Sequence, residues 1–170
     1  MKNVIFIALA AAAIIFPITA HADESMLGLG VGYFDVFDGD DTAADFRVEY
    51  RAGEPCFWKI KPFIAGHINS DGGVYGLGGL YGDIPLSPEW TLTPSFGAGL
   101  YSDGDGKDLG HTIELRTQLE LGYNFQNGSR LSGGLAHISN GGLDNHNPGT
   151  EVLSLNYYLP LSWFSSGSSE

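Results

Sequence analysis

Residues 133–142 read GGLAHISNGG, placing His137 and Ser139 two positions apart, and Glu151 follows the histidine by 14 positions (151 minus 137). A serine hydroxyl is a poor nucleophile at neutral pH and needs an adjacent base. That base in turn benefits from a carboxylate that fixes its tautomer and stabilises the imidazolium. Ser139, His137 and Glu151 are residue types that fill those three roles, and the chemistry they support is acyl transfer to water. On a strand, a spacing of two puts His137 and Ser139 on one face, roughly 6.5–7 Å apart along the chain, so the side chains must lean together to meet. A twist or bulge at residues 140–142 would help. The glycines there also let backbone N–H groups turn toward a developing oxyanion. The His-x-Ser spacing alone describes equally well a polar pair at a strand end facing interfacial water.

What surrounds the three residues depends on the elements that carry them. No apolar spacing of three and four recurs after the N-terminal segment; alternation of period two does. In HTIELRTQLELGYNF, Ile113, Leu115, Leu119, Leu121, Tyr123 and Phe125 point one way and Glu114, Arg116, Gln118, Glu120 and Asn124 the other. Phe46, Val48 and Tyr50 alternate with Arg47, Glu49 and Arg51, and Leu27, Leu29, Val31 and Tyr33 with Gly28, Gly30 and Gly32. The pattern predicts strands at 25–35, 44–51, 56–66, 74–83, 90–101, 111–125, 130–140 and 150–161. Several reach the ~9–11 residues that a tilted transmembrane strand requires. Odd connections such as DVFDGDDTA and GGLDNHNPG are long and polar, whereas AGEP, IPLSPE and QNGS are short. Outer-membrane barrels show this asymmetry, with long external loops and short periplasmic turns. The expected fold is therefore all-β, an eight-stranded antiparallel transmembrane β-barrel of the bacterial outer membrane; a soluble periplasmic barrel or sandwich is the competing reading.

The opening MKNVIFIALAAAAIIFPITAHADE has a basic n-region, an apolar run from Val4 to Ile18 and small residues at Ala20 and Ala22. It reads as a secretory signal over residues 1–22. The barrel domain is then expected over 23–164, with a polar tail, SSGSSE, over 165–170. That tail departs from the aromatic ending common in outer-membrane barrels. Cys56 is the single cysteine, so no internal disulfide forms. With 20 acidic against 8 basic residues and a net charge of -12, nucleic acid is excluded as a partner. Asp103, Asp105 and Glu114 fall near calcium-loop spacing, but Asp108 stands where the loop needs glycine, and a solvated loop is the expectation. Asp144 and His146 are read as loop residues, and His67 and His111 receive no role. Glu114, Arg116 and Glu120 are expected to fill the interior of a barrel too narrow to conduct.

If the apolar faces meet lipid, His137, Ser139 and Glu151 share the outward face with Leu131, Leu135, Leu153 and Leu155 and gather at one rim. Polar and ionisable groups are costly near lipid, which argues for a site over trim. The segment AHISNGGLDNHNPGTEVLSLNYYLPL resembles the signature of the lipid A 3-O-deacylases of the PagL family. The resemblance is confined to about the last 30 residues. It implies Ser139 as nucleophile, His137 as general base and Glu151 as orienting acid on the outer surface of an eight-stranded barrel. It also implies an oxyanion hole from the backbone amides of Asn140 and Gly142. The implied reaction removes the 3-O-linked 3-hydroxyacyl chain of lipid A in lipopolysaccharide, with no metal and no cofactor. Two rival functions stand beside it: a non-catalytic structural barrel, and a lipid esterase acting on phospholipid. Composition and spacing do not distinguish a monomer from a homodimer.

Overall fold

Period-two alternation becomes strand wherever it is sustained. The computed structural model describes residues 24–39 and 41–165; the expected signal over 1–22 and residues 166–170 of the expected tail lie outside the described residues. The elements in chain order are β1 (Met26–Phe34), β2 (Ala43–Arg51), β3 (Ile60–Asn69), β4 (Val74–Gly82), the two-residue β5 (Ile84–Pro85), β6 (Trp90–Ser102), β7 (Ile113–Asn124), β8 (Arg130–Ser139), β9 (Thr150–Pro160) and a single helical turn, α1 (Ser162–Ser165). Each long strand pairs antiparallel with its neighbours, β1 joins both β2 and β9, and β4 joins β6. The sheet therefore closes into an eight-stranded antiparallel barrel, with β5 an appendage on β6.

The barrel is polar inside and apolar outside, the reverse of a soluble protein. On β2, Asp45, Arg47, Glu49 and Arg51 are buried, whereas Phe46, Val48 and Tyr50 are exposed. On β7, Glu114, Arg116, Gln118 and Glu120 face inward and Ile113, Leu119, Leu121 and Tyr123 outward. A largely apolar wall on a closed sheet is the surface that hydrocarbon accepts, because no backbone group is left unpaired along the ladders. The lumen is filled with pairs. Arg51 bonds Glu49 and Glu120, each at 2.6 Å, and stacks over the Tyr158 ring at 4.1 Å. Arg116 bonds Glu49 at 3.2 Å and His67 at 3.1 Å. Inward glycines on β1 make room for this filling: a Cβ on Gly28 would collide with the Tyr158 ring, and one on Gly30 with Asn156 and Arg47.

β3 departs most from the sequence expectation, running Ile60–Asn69 where 56–66 is expected, and the other long strands shift by at most two residues at either end. β3 begins at Ile60, because Cys56, Phe57 and Trp58 form a tight turn in which Trp58 has φ 50° and Ile60 N donates to Phe57 O at 2.8 Å. The aromatic run mimics strand composition but lies exposed beyond the strand end. At the C-terminus β9 stops at Pro160, and Trp163 and Phe164 sit in α1. All three tryptophans thus lie at the short-turn end: Trp58, Trp163 and Trp90. Trp90 packs edge-on against Tyr123 at 5.3 Å, and Tyr123 against Phe125 at 5.1 Å.

Asp83 plugs the lumen at this end. It accepts from Arg130 at 2.8 Å and Thr93 at 2.7 Å, with Lys61 at 3.4 Å. Burial alone would raise its carboxyl, but Arg130, Thr93 and Lys61 together pull it down to about 2. A carboxyl depressed from 3.8 to about 2 contributes about 2 kcal/mol that is fully present above the unfolded value and lost as pH falls through the folded one. Asp83→Asn is expected to lower the temperature at which the folded band converts on a detergent gel at neutral pH. The gap from wild type should close as the pH falls through about 2.

Candidate active site

The inward residues of β8 and β9 fix where the outward ones point. Ala136, Ile138 and Val152 are buried, so alternation turns His137, Ser139 and Glu151 to the outer wall, at the long-loop rim. His137 and Glu151 are direct cross-strand partners, and His137 Nδ1 lies 2.9 Å from Glu151 Oε1. The histidine side chain is 52% exposed and the glutamate 27%, so the pair is open on the membrane side. With Nδ1 held by the carboxylate, Nε2 is the nitrogen left to take a hydroxyl proton. Ser139 follows on the same face, opposite Leu115 of β7. Among the described residues no hydrogen bond joins its Oγ to the imidazole, as the strand repeat of roughly 6.5–7 Å implies for neighbours that have not closed on a substrate.

Gly149 lies against the imidazole. It has φ +68°, and a Cβ there would stand 3.0 Å from His137 Cε1. A side chain at 149 would crowd the imidazole by a few tenths of an ångström, and the left-handed backbone there favours glycine in any case. The sequence marks this segment as a long polar loop and does not show the approach of Gly149 to the histidine.

The loop after Ser139 turns through Gly141 and Gly142, both at positive φ. Both expected oxyanion donors are committed inside it: Asn140 N donates to Asn147 Oδ1 at 3.1 Å and Gly142 N to Asn140 Oδ1 at 2.9 Å. For either amide to serve an oxyanion, one of those side chains must first give way. The fully buried Asn140 side chain also donates to Leu109 O at 3.0 Å and His146 O at 2.8 Å, tying this loop to residues 103–112.

The remaining candidates fall elsewhere. Asp144 caps its own turn by accepting from His146 N at 3.0 Å, and His111 accepts from Ile113 N at 2.9 Å. His67 lies deep in the lumen beside Asp45. The sequence reading assigns neither Asp35 nor Lys107 a role beside the three residues. Asp35, just past β1, is fully buried with φ 59° and bonds Lys107 and Thr150 beside the glutamate. Burial would raise its carboxyl, yet the Lys107 hydrogen bond and its other donors bring it below the usual range. Burial would likewise lower the Lys107 ammonium, and its two aspartate partners raise it.

The model of the family described as lipid A 3-O-deacylase (PagL) matches residues 76–160, half of the 170-residue chain. The chain belongs to this family. The matched span carries His137, Ser139 and Glu151 and leaves Asp35 outside. Three solved structures share the barrel. One is a crystal structure of the outer membrane enzyme PagL, at TM-score 0.60 and 18% identity, covering 79% of this chain and 99% of the other. The second is Neisserial surface protein A, at TM-score 0.57 and 11% identity, covering 80% and 95%. The third is a de novo designed transmembrane β-barrel, at TM-score 0.55 and 14% identity, covering 84% and 100%. No curated protein sequence matches the chain at a significant level.

Asn140→Ala in this PagL-family barrel leaves the carbonyls of Leu109 and His146 and the amide of Gly142 without their partner. The Leu109 carbonyl is the buried one of the three, and a buried group left unpaired costs about 1–3 kcal/mol. The expected outcome is faster protease cleavage within residues 140–149 while the barrel itself stays resistant, read by limited proteolysis and mass mapping.

Proposed function

We propose that this protein is an outer-membrane serine esterase that hydrolyses the ester holding the 3-hydroxyacyl chain at the 3-position of lipid A. The observation that carries the reading is the 2.9 Å pair between His137 Nδ1 and Glu151 Oε1 on the apolar outer wall, two residues from a serine on the same face. Family membership supplies the substrate class. A lumen packed with ion pairs leaves the wall, rather than a channel, as the place for chemistry. In this reading residues 1–22 export the chain, the long loops face outward, and the site meets the outer leaflet where acyl chains join sugar.

The chemistry follows from the residues. Ser139 Oγ attacks the ester carbonyl as His137 Nε2 takes its proton, while Glu151 holds Nδ1 and stabilises the imidazolium. The amides of Asn140 and Gly142 are the oxyanion donors of this scheme, once released from their side-chain acceptors. Collapse expels the sugar hydroxyl, which receives the proton from His137. Water activated by the same nitrogen then cleaves the acyl-enzyme and frees the 3-hydroxy acid. The acyl chain lies against Leu135, Leu153 and their neighbours, already exposed on that wall.

Mass spectrometry of lipid A from cells expressing wild type, Ser139→Ala or an empty vector tests this. Loss of one 3-hydroxyacyl mass with wild type only, both proteins migrating as folded barrels, is the expected result. The same lipid A profile with wild type and Ser139→Ala would end the catalytic claim. Release of fatty acid from purified phospholipid but not from lipopolysaccharide would move the substrate.

A further inference from the structure

Lys107 is the only Lys or Arg among residues 35–42, 70–73, 103–112 and 140–149, the four connections at the rim that carries the site. It is buried rather than offered to solvent, and its ammonium bonds Asp35 at 2.5 Å and Asp38 at 2.9 Å. Its backbone is held as well, because Tyr101 Oη donates to Lys107 O at 2.9 Å. Asp35 is the less ordinary partner. It is fully buried in a left-handed backbone conformation, φ 59°, that is strained for a non-glycine residue and persists only where the surroundings enforce it. The surroundings here are Lys107 and Thr150 Oγ1 on Oδ1, the latter at 3.1 Å, and Asp41 N on Oδ2 at 3.2 Å.

That turn has a specific consequence for Glu151. The β1–β9 ladder ends at the pair Phe34–Val152, and the β8–β9 ladder ends at Ile138–Thr150. Beyond Phe34 the positive φ of Asp35 swings the chain so that Val36 N donates to Glu151 O at 3.1 Å. Asp35 therefore holds the start of β9 twice, through the Thr150 hydroxyl and through the amide that follows it. Loop 103–112 reaches the other side of the site too, where Leu109 O accepts from Asn140 next to Ser139. One loop thus grips both flanks of the three residues.

We propose that Lys107 is a positioning residue of this site, locking through Asp35 the strand start that carries Glu151. The inference rests on the proposed function, since it gives Glu151 its role beside His137. Without the ammonium, Asp35 loses the partner that offsets its burial and strain, and the β9 start is free to shift. A displacement on the order of 1 Å at a catalytic group costs up to about 100-fold in rate.

The test uses the full chain in detergent with lipopolysaccharide micelles as substrate, comparing wild type, Lys107→Met, Lys107→Arg, Ser139→Ala, Glu151→Ala and the Lys107→Met/Glu151→Ala pair. Heat-modifiable migration verifies folding of each. Lys107→Met is expected to lower kcat by about 10- to 100-fold with KM little changed. Lys107→Arg should recover most of the loss. In the Glu151→Ala background Lys107→Met should lower the residual rate no further, because the group it acts through is gone. Wild-type kcat in folded Lys107→Met overturns the inference, as does a second full drop in the Glu151→Ala background. If Lys107→Met fails to fold, Asp35→Asn takes its place with the same expectations. A Ser139→Ala protein as active as wild type is a different failure: it removes the proposed function and this inference with it.

Discussion

The pairing of β4 with β6 is the contact on which the rest depends, because it joins the two ends of the sheet. An open sheet would present unpaired N–H and C=O groups to hydrocarbon, at several kcal/mol for each group. Once the ladder closes, alternation leaves just two environments for a side chain, lumen and wall. The same closure explains why β5 is tolerated as a two-residue strip on β6: it lies beyond the circuit. Every later feature, from the buried guanidinium groups to the exposed histidine, follows from which of the two environments its position in the strand assigns.

Inside, the consequence is a core held by charge. Arg51 bonds Glu49 and Glu120, and Arg116 bonds Glu49 and His67, while Arg51 Nη1, Arg116 Nε and both carboxyl oxygens of Glu114 are buried without a hydrogen-bond partner among the described residues. Losing one partner of such a pair costs about 3–5 kcal/mol, because the other charge is left buried alone. Tyr158 packs its ring on Arg51 and its hydroxyl on Glu120 at 3.1 Å, so β9 is locked to β2 and β7 at the level below Glu151. Rigid strands of this kind suit chemistry on the wall. Ser139, His137 and Glu151 on adjacent strands keep their spacing through the ladder itself, with loops needed only where the ladder stops.

Much of this was legible in the sequence because strand alternation is a local, repeating signal. Glu114, Arg116 and Glu120 were read as interior and are buried, and Leu119, Leu121 and Tyr123 were read as wall and are exposed. His137 and Glu151 were legible as a pair through the hairpin that joins β8 to β9. The start of β3 was not, since Phe57 and Trp58 have strand-forming composition while the backbone turns beneath them. Asp35 and Lys107 were invisible for another reason. They are 72 residues apart and meet only across the barrel mouth, and nothing in the sequence marks a left-handed aspartate. The commitment of the Asn140 and Gly142 amides to side-chain acceptors likewise depends on how one loop folds onto itself.

The placement of the tryptophans has a consequence at the opposite end. Trp58, Trp90 and Trp163 all sit at the short-turn rim, and indole rings settle at the boundary between headgroups and acyl chains. They act as a float line. A barrel moored from that side, with an apolar band ~25 Å tall, carries His137 at a height set by strand length rather than by the loops around it. Under the proposed function, depth is then a substrate filter: an ester is presented to Ser139 according to how far it lies from the opposite face of the bilayer. In a thicker or thinner membrane, the same residues would meet a different bond.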